Sequence, residues 1–218
     1  MAGQRTPVRR TQAERSATTR ARIIGATMDL LAERGLAQTT MASIAERAGV
    51  TVGAIQHQFG DKDGVLRAVL EDSIAHLAGH LAMAEPTGPE VGDRVDAMIH
   101  TLWSDDLSTY RKAQFQAVME LLRSMRRDPA TRADGDAFMR RIALVIHRQW
   151  MAMFWDVPAP ERYHFAAERL MFAALNGLAL EPSISSAAPD VTLELHALRV
   201  AIVGILEAGI AEGRSTRG

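Results

Sequence analysis

The chain has 218 residues and no cysteine. Disulfides and cysteine-ligated zinc are therefore excluded, and a reducing compartment, the cytoplasm, is the expected location. No stretch reaches the ~18 uninterrupted apolar residues that a membrane span requires. The opening MAGQRTPVRRTQAERSATTR is basic and polar with no apolar core behind it, so neither export nor membrane insertion is expected. No run alternates apolar and polar residues with a period of two, which leaves little room for half-buried strands. There is no glycine-rich phosphate loop, no nucleophile elbow and no cysteine nucleophile, so catalysis has no residues to rest on. No cofactor is expected.

What the chain does have is a globular composition, 47% hydrophobic and 23% charged, enough for one large or two small domains. Its net charge of −1 is unevenly placed. Residues 1–67 hold ten lysines and arginines against six acids, a balance of +4, which leaves −5 for the remainder. A basic end on an acidic body is the asymmetry expected when one end meets phosphates and the other does not. Charge alone would also suit a basic tail on a soluble enzyme.

Apolar spacing predicts an all-α fold of about nine helices. Residues 1–18 lack periodicity and are expected to form a flexible basic arm. From Thr19, the positions Ile23, Ala26, Thr27, Leu30 and Leu31 share one helical face, with Gly35 as the stop. Thr40 can cap a short second helix burying Met41, Ile44, Ala45 and Ala48, ended by Gly49, and Thr51 can cap a third that runs to Phe59. Asp61 can cap a long fourth, about 62–84, burying Leu66, Leu70, Ile74, Leu77 and Leu81. Pro86–Pro89 is the clearest break. Beyond it the segments Val91–Ser104, Leu107–Arg127, Pro129–Phe154, Glu161–Leu180 and Asp190–Glu212 read as further helices.

Helix, glycine turn and short helix between Thr40 and Phe59 form the pattern of a helix-turn-helix, which places its second helix in the major groove of DNA. On the wheel of that helix Ile55 and Phe59 face inward, while Gly53, Ala54 and His57 face out, so a nearly bare surface can approach base edges. Gln56, His57 and Gln58 can supply hydrogen-bonding tips, and Val52 can touch a thymine methyl. Thr40, Thr51 and Lys62, at helix N-termini, are placed to hold phosphates. Each threonine, and Asp61, could equally be a plain cap.

The stretch from Thr18 to Asp72 resembles the N-terminal domain of the tetracycline-repressor-like (TetR) family of bacterial regulators. The resemblance rests on Ala21-Arg22-Ile23-Ile24, Leu31, Glu33-Arg34-Gly35, Thr39-Thr40, Ile44-Ala45, Ala48-Gly49-Val50, Gly53, Phe59 and Lys62. It implies that Phe59 anchors the third helix, that Lys62 meets a phosphate and that residues from Val52 to His57 choose the operator. Gln56 and Gln58 depart from the tyrosine and histidine common in the family, and Gly64 stands where a glutamate often completes a capping box. A weaker cap is expected there. The resemblance also implies a DNA-binding domain over 19–67 and a dimerising, effector-binding domain over 68–218, with an inverted-repeat operator and a small molecule as partners.

In the C-terminal body, Trp103, Phe115, Met119, His147, Trp150, Met151 and Phe154 suggest the lining of a cavity for an apolar or aromatic effector, with His147 or Gln149 as a polar handle. An ordinary core is the alternative. Leu170, Ala173, Ala174, Gly177 and Leu178 on one late helix, with Leu195, Leu198, Ile202, Leu206 and Ile210 on the last, suggest the two-helix contribution to a homodimer. His76 and His80 have a metal-compatible spacing but no third ligand, so no metal is expected. An architectural DNA binder is the main rival function, and the acidic C-terminal two-thirds argue against it.

Overall fold

The computed structural model describes residues 11–103, 113–180 and 190–215. These form nine helices and no strand among the described residues: α1 (Gln12–Gln38), α2 (Met41–Ala48), α3 (Val52–Phe59), α4 (Lys62–Leu81), α5 (Val91–Trp103), α6 (Ala113–Arg127), α7 (Arg132–Phe154), α8 (Glu161–Leu180) and α9 (Thr192–Ser215). Two compact units divide between Asp72 and Ser73, inside α4 and a little beyond the expected boundary.

The largest departure from the pattern is at the start. Instead of an arm through residue 18, α1 begins at Gln12. Thr11 Oγ1 accepts from the Glu14 N–H at 3.2 Å and the Thr11 N–H donates to Glu14 Oε2 at 2.7 Å, a reciprocal capping box. The first turns are polar throughout, so they carry no apolar periodicity to reveal them. Residues 1–10 of the expected arm lie outside the described residues. Gly35 breaks α1 where expected, at φ 73° and ψ 174°, although helical turns resume through Gln38. α4 ends at Leu81 rather than near 84, and α7 begins at Arg132 rather than Pro129. The first part of the helix expected from Leu107 falls on residues 104–112, outside the described residues.

In the first unit, Ile23, Leu30, Ile44, Ile55 and Val65 are buried together where α1, α2, α3 and the start of α4 meet. Each such side chain contributes about 1.5–3 kcal/mol by leaving water. In the second, α8 packs on α9, α5 on α9 and α6 on α7. Its core holds Leu77 and Leu81 from α4 with Met98, Leu102, Trp150, Phe154, Met171, Leu175, Ile202 and Leu206. The two ends of α4 thus belong to different cores, with Val65 in one and Leu81 in the other.

Polar contacts set the geometry of the second unit. Trp150 stacks on Phe154 with centroids 4.4 Å apart. The Trp150 indole N–H donates to His164 Nδ1 at 3.3 Å, and His164 Nε2 lies 3.1 Å from the Val157 carbonyl, which assigns His164 the neutral tautomer with its proton on Nε2. Arg94 clasps the end of α7: Nη1 donates to the Met153 carbonyl at 3.0 Å and to Asp156, Nη2 donates to Asp156 Oδ2 at 3.0 Å, and Nε donates to the Pro89 carbonyl at 3.2 Å. The Arg94 guanidinium holds the Asp156 carboxyl below its ordinary range.

A folded-state pKa below the unfolded one means that the Asp156 contribution is present at neutral pH and is lost as pH falls through the unfolded value, near pH 4, towards the folded one. Urea midpoints of the parent and Asp156→Asn should therefore differ at pH 7 and converge below about pH 4. A gap that persists undiminished at low pH would assign the effect to packing instead of charge.

Candidate nucleic-acid interface

The helix-turn-helix is built from local caps. Thr40 Oγ1 accepts from the Ser43 N–H at 3.1 Å to start α2, and Thr51 Oγ1 accepts from the Ala54 N–H at 3.1 Å to start α3. Between them Gly49 takes a left-handed conformation, φ 61° and ψ 43°. That conformation lets the Gly49 N–H donate to the Glu46 carbonyl at 3.1 Å and the Val50 N–H to the Ala45 carbonyl at 3.0 Å, closing the last turn of α2. The Arg22 guanidinium, from α1, donates to the Ala48 carbonyl and to the Gly49 carbonyl, the latter at 3.3 Å. A side chain at Gly49 would bring its Cβ within 2.8 Å of Arg22 Nη2. Gly49 is thus favoured by its backbone angle, and a side chain there would also displace the tip of Arg22.

Ile55 is fully buried and fixes the rotation of α3, which leaves Thr51, Val52, Gly53, Gln56 and His57 exposed on the other side. These five form an outward face that holds Gly53 and His57 as the spacing predicts, while Ala54, expected beside them, is half-buried. Thr40, also exposed, joins them as an N-cap.

Two of the expected DNA contacts are placed differently. Gln58 is half-buried against α1: its Nε2 donates to the Ser16 carbonyl at 3.5 Å, and its Oε1 is buried with no hydrogen-bond partner. It therefore does not share the outward face, because α1 extends far enough towards its N-terminus to cover it. Lys62 Nζ donates to the Leu36 carbonyl at 3.0 Å, closing the end of α1, so only its remaining N–H groups are left for a phosphate.

Other contacts in this unit carried no assigned role in the sequence. Arg20 lies over the Phe59 ring, 4.8 Å from its centroid, and 3.9 Å from Glu71. Arg47 grips Glu33 through two hydrogen bonds of 2.9 and 2.6 Å, joining α2 to α1 and lowering the Glu33 pKa. The only signal for these pairs was opposite charge at positions far apart in the chain. Gly64 has a steric explanation as well. A Cβ there would lie 1.9 Å from the Phe59 carbonyl oxygen, so the tight passage from α3 to α4 excludes the glutamate expected at a capping box. The cap itself is present, the Gly64 N–H donating to Asp61 Oδ1 at 2.8 Å.

In the second unit the candidate effector residues are dispersed. Trp103, Trp150 and Phe154 are buried in the core, Phe115 packs against it and Met119 is half-buried. Met151 is 38% exposed, and His147 is exposed with Nδ1 2.9 Å from Glu168 Oε2. None of the seven lines the cavity of about 380 Å³ formed by the α4–α5 connection, Arg94 and the end of α7, which includes Gln149. Trp150 and Phe154 belong to the core instead, stacked on one another with the Trp150 N–H satisfied by His164.

The dimer candidates divide too. Leu198, Ile202 and Leu206 are buried inside the unit, so they cannot also face a second copy. Leu170, Ala173 and Gly177 are exposed, with Ala174 and Leu178 half-buried. The exposed apolar face of α9 is the opposite one: Leu193 at 74% and Val200 at 54% exposure, with Ala197, Ala201, Gly204 and Ala208. Both faces of α9 are apolar, so spacing alone picked out the one that packs inside the unit. The His76 and His80 rings lie 6.4 Å apart, and no group of three or more potential metal ligands occurs among the described residues. No described helix is long and apolar enough to cross a membrane.

Two capped eight-residue helices about a left-handed glycine, the second presenting a bare outward face, place the chain in the class of helix-turn-helix DNA-binding proteins. A family model described as bacterial regulatory proteins, tetR family, matches residues 23–69. The HTH-type transcriptional regulator BetI of Burkholderia thailandensis is 48% identical over 69 residues, covering 30% of this chain and 35% of that protein. The HTH-type transcriptional regulator TtgR of Pseudomonas putida is 37% identical over 142 residues, covering 65% of this chain and 55% of that protein. The chain thus spans about a third and about half of the length of these two curated relatives. A crystal structure of a transcriptional regulator from Rhodococcus sp. Rha1 aligns over 88% of this chain and 97% of its own with a TM-score of 0.71 and 27% identity. These likenesses, with the family model matching residues 23–69, support a TetR-family transcriptional regulator. These relatives are named as regulators and not as enzymes, in keeping with the absence of catalytic motifs.

The Gly64 contact yields a direct check. Gly64→Ala should destabilise the protein by about 1–3 kcal/mol in urea unfolding, since the new methyl must push the start of α4 from the Phe59 carbonyl. An unchanged midpoint would mean that the α3–α4 corner relaxes freely.

Proposed function

We propose that the protein is a sequence-specific transcriptional regulator that binds an inverted-repeat DNA operator as a homodimer and responds to a small molecule. The observation that carries the reading is the exposed face of α3. Backbone and short side chains there allow close approach to the major groove, and Gln56, His57 and Val52 offer an amide, an imidazole and a methyl surface for base edges. Thr40 and Thr51, with the remaining donors of Lys62, would hold the flanking phosphates at helix N-termini.

A single copy of so small a reading surface would bind weakly. The unpartnered apolar faces of α8 (Leu170, Ala173, Gly177) and α9 (Leu193, Ala197, Val200, Ala201, Gly204) support a two-fold dimer, whose recognition helices would address half-sites about 34–36 Å apart or a multiple of that. Small residues on both faces permit close helix approach. An effector acting on the second unit would reach the first through α4, which is rooted in both cores. A differential affinity of about 1–3 kcal/mol between two placements of α4 would change operator occupancy several-fold to a hundredfold. Repression relieved by the effector, in the cytoplasm, is the mode this family resemblance favours. A sequence-indifferent architectural binder would be basic throughout, and the acidic remainder of the chain argues against it.

Selection of bound sequences from a random double-stranded pool at near-physiological salt should recover an inverted repeat; recovery of no motif from folded protein would defeat the reading. On that operator, His57→Ala should cost about 1–3 kcal/mol and relax preference at one position in each half-site. Lys62→Ala should weaken binding to all sequences alike and flatten the salt dependence. Val200→Glu should yield a folded monomer in sedimentation velocity, with operator binding sharply reduced; a dimer unaffected by this charge would exclude the α9 face.

A further inference from the structure

We propose that the effector site lies at the junction of the α4–α5 connection with the end of α7, and that it takes a flat aromatic molecule carrying an N–H or O–H donor. This rests on the regulatory reading above and relocates its ligand from the buried aromatic cluster to the cavity of about 380 Å³ walled by Pro86, Pro89, Arg94, Gln149, Trp155 and Asp156.

Several features prepare this open-sided groove for a ligand. Its volume falls within the usual range for small-molecule pockets, roughly 300–1,000 Å³. Its polar wall is rigid in advance. Arg94 is held by the Pro89 and Met153 carbonyls and by both oxygens of Asp156, and its side chain is only 15% exposed. Each Asp156 oxygen accepts from Arg94 and retains a further lone pair, and its side chain is 42% exposed, so it can accept from a ligand without surrendering the clasp.

Gln149 is half-buried in the same wall and makes no hydrogen bond among the described residues, which leaves its amide available. Trp155 is 76% exposed, the most exposed large apolar side chain among the described residues, and its ring stands in water at the edge of the cavity. An indole face left open beside two prolines suits stacking by a flat ring. Because Arg94 neutralises Asp156, the wall favours a neutral donor over a strongly cationic one.

The position also gives the site a mechanical consequence. Ala84 lines it, three residues after the end of α4, and Pro86 and Pro89 stiffen the connection to α5. A ligand bridging this connection to the end of α7 would bias how α4 leaves the second core, which is the coupling the regulatory reading requires.

5-Fluoroindole, followed by ¹⁹F NMR with the full-length protein, is a suitable probe, and its N-methyl derivative removes the donor. Saturable binding is expected with a Kd of about 0.1–1 mM. It should weaken about five- to tenfold in Trp155→Ala and about three- to tenfold in Gln149→Leu, with the N-methyl compound weaker than its parent on the unaltered protein. Both positions lie at the cavity edge, and circular dichroism checks that each variant folds. Absence of saturable binding, or binding unchanged in both variants, overturns the site. Operator selection is an independent readout: a protein that selects an inverted repeat but ignores the probe loses this site alone, and one that binds the probe but selects no sequence loses the regulatory reading alone.

Discussion

The geometry of the DNA-reading unit depends on one left-handed residue and the arginine that covers it. Gly49 at φ 61° turns the chain between α2 and α3, and Arg22 satisfies the Ala48 and Gly49 carbonyls at the negative end of α2. Without the first, the chain could not reverse so tightly; without the second, the carbonyls at this turn would have water as their only other partner. The angle between α2 and α3 is therefore tied to α1 by a polar contact as well as by the shared Ile23–Ile44–Ile55 core. Which face α3 turns outward follows from the burial of Ile55, and Gly53 adds no side chain to that face.

In the same unit four cations among the described residues are engaged within the scaffold. Lys62 closes the end of α1, Arg22 closes the end of α2, Arg47 pairs with Glu33 and Arg20 covers Phe59. Four of the ten basic side chains in the first 67 residues thus hold the scaffold together.

In the second unit, apolar and polar contacts are separated. Trp150 and Phe154 anchor the interior, with His164 meeting the only polar atom of the indole, while Arg94 and Asp156 fasten the helix ends at the edge. That arrangement explains why the aromatic cluster is a core and the cavity lies at a junction of helix ends, where backbone connections leave space that interdigitating side chains do not fill. With one end of α4 in each core, packing changes beside its C-terminus are changes in an element the first unit also uses.

The amino-acid sequence by itself determined the all-helical class, the Thr40 and Thr51 caps, the glycine stops at 35 and 49, and the outward placing of Gly53 and His57 on α3. All of these depend on neighbours within one or two turns, where spacing and residue type suffice. Tertiary structure alone decided that Gln58 meets Ser16, 42 residues away, and that Lys62 and Arg22 reach carbonyls 26 residues distant. It also decided which of two apolar faces of α9 is buried, since a helix apolar on both sides carries no periodicity to choose between them. Long polar side chains and doubly apolar helices have several acceptable local environments, and only the packing of distant elements selects one.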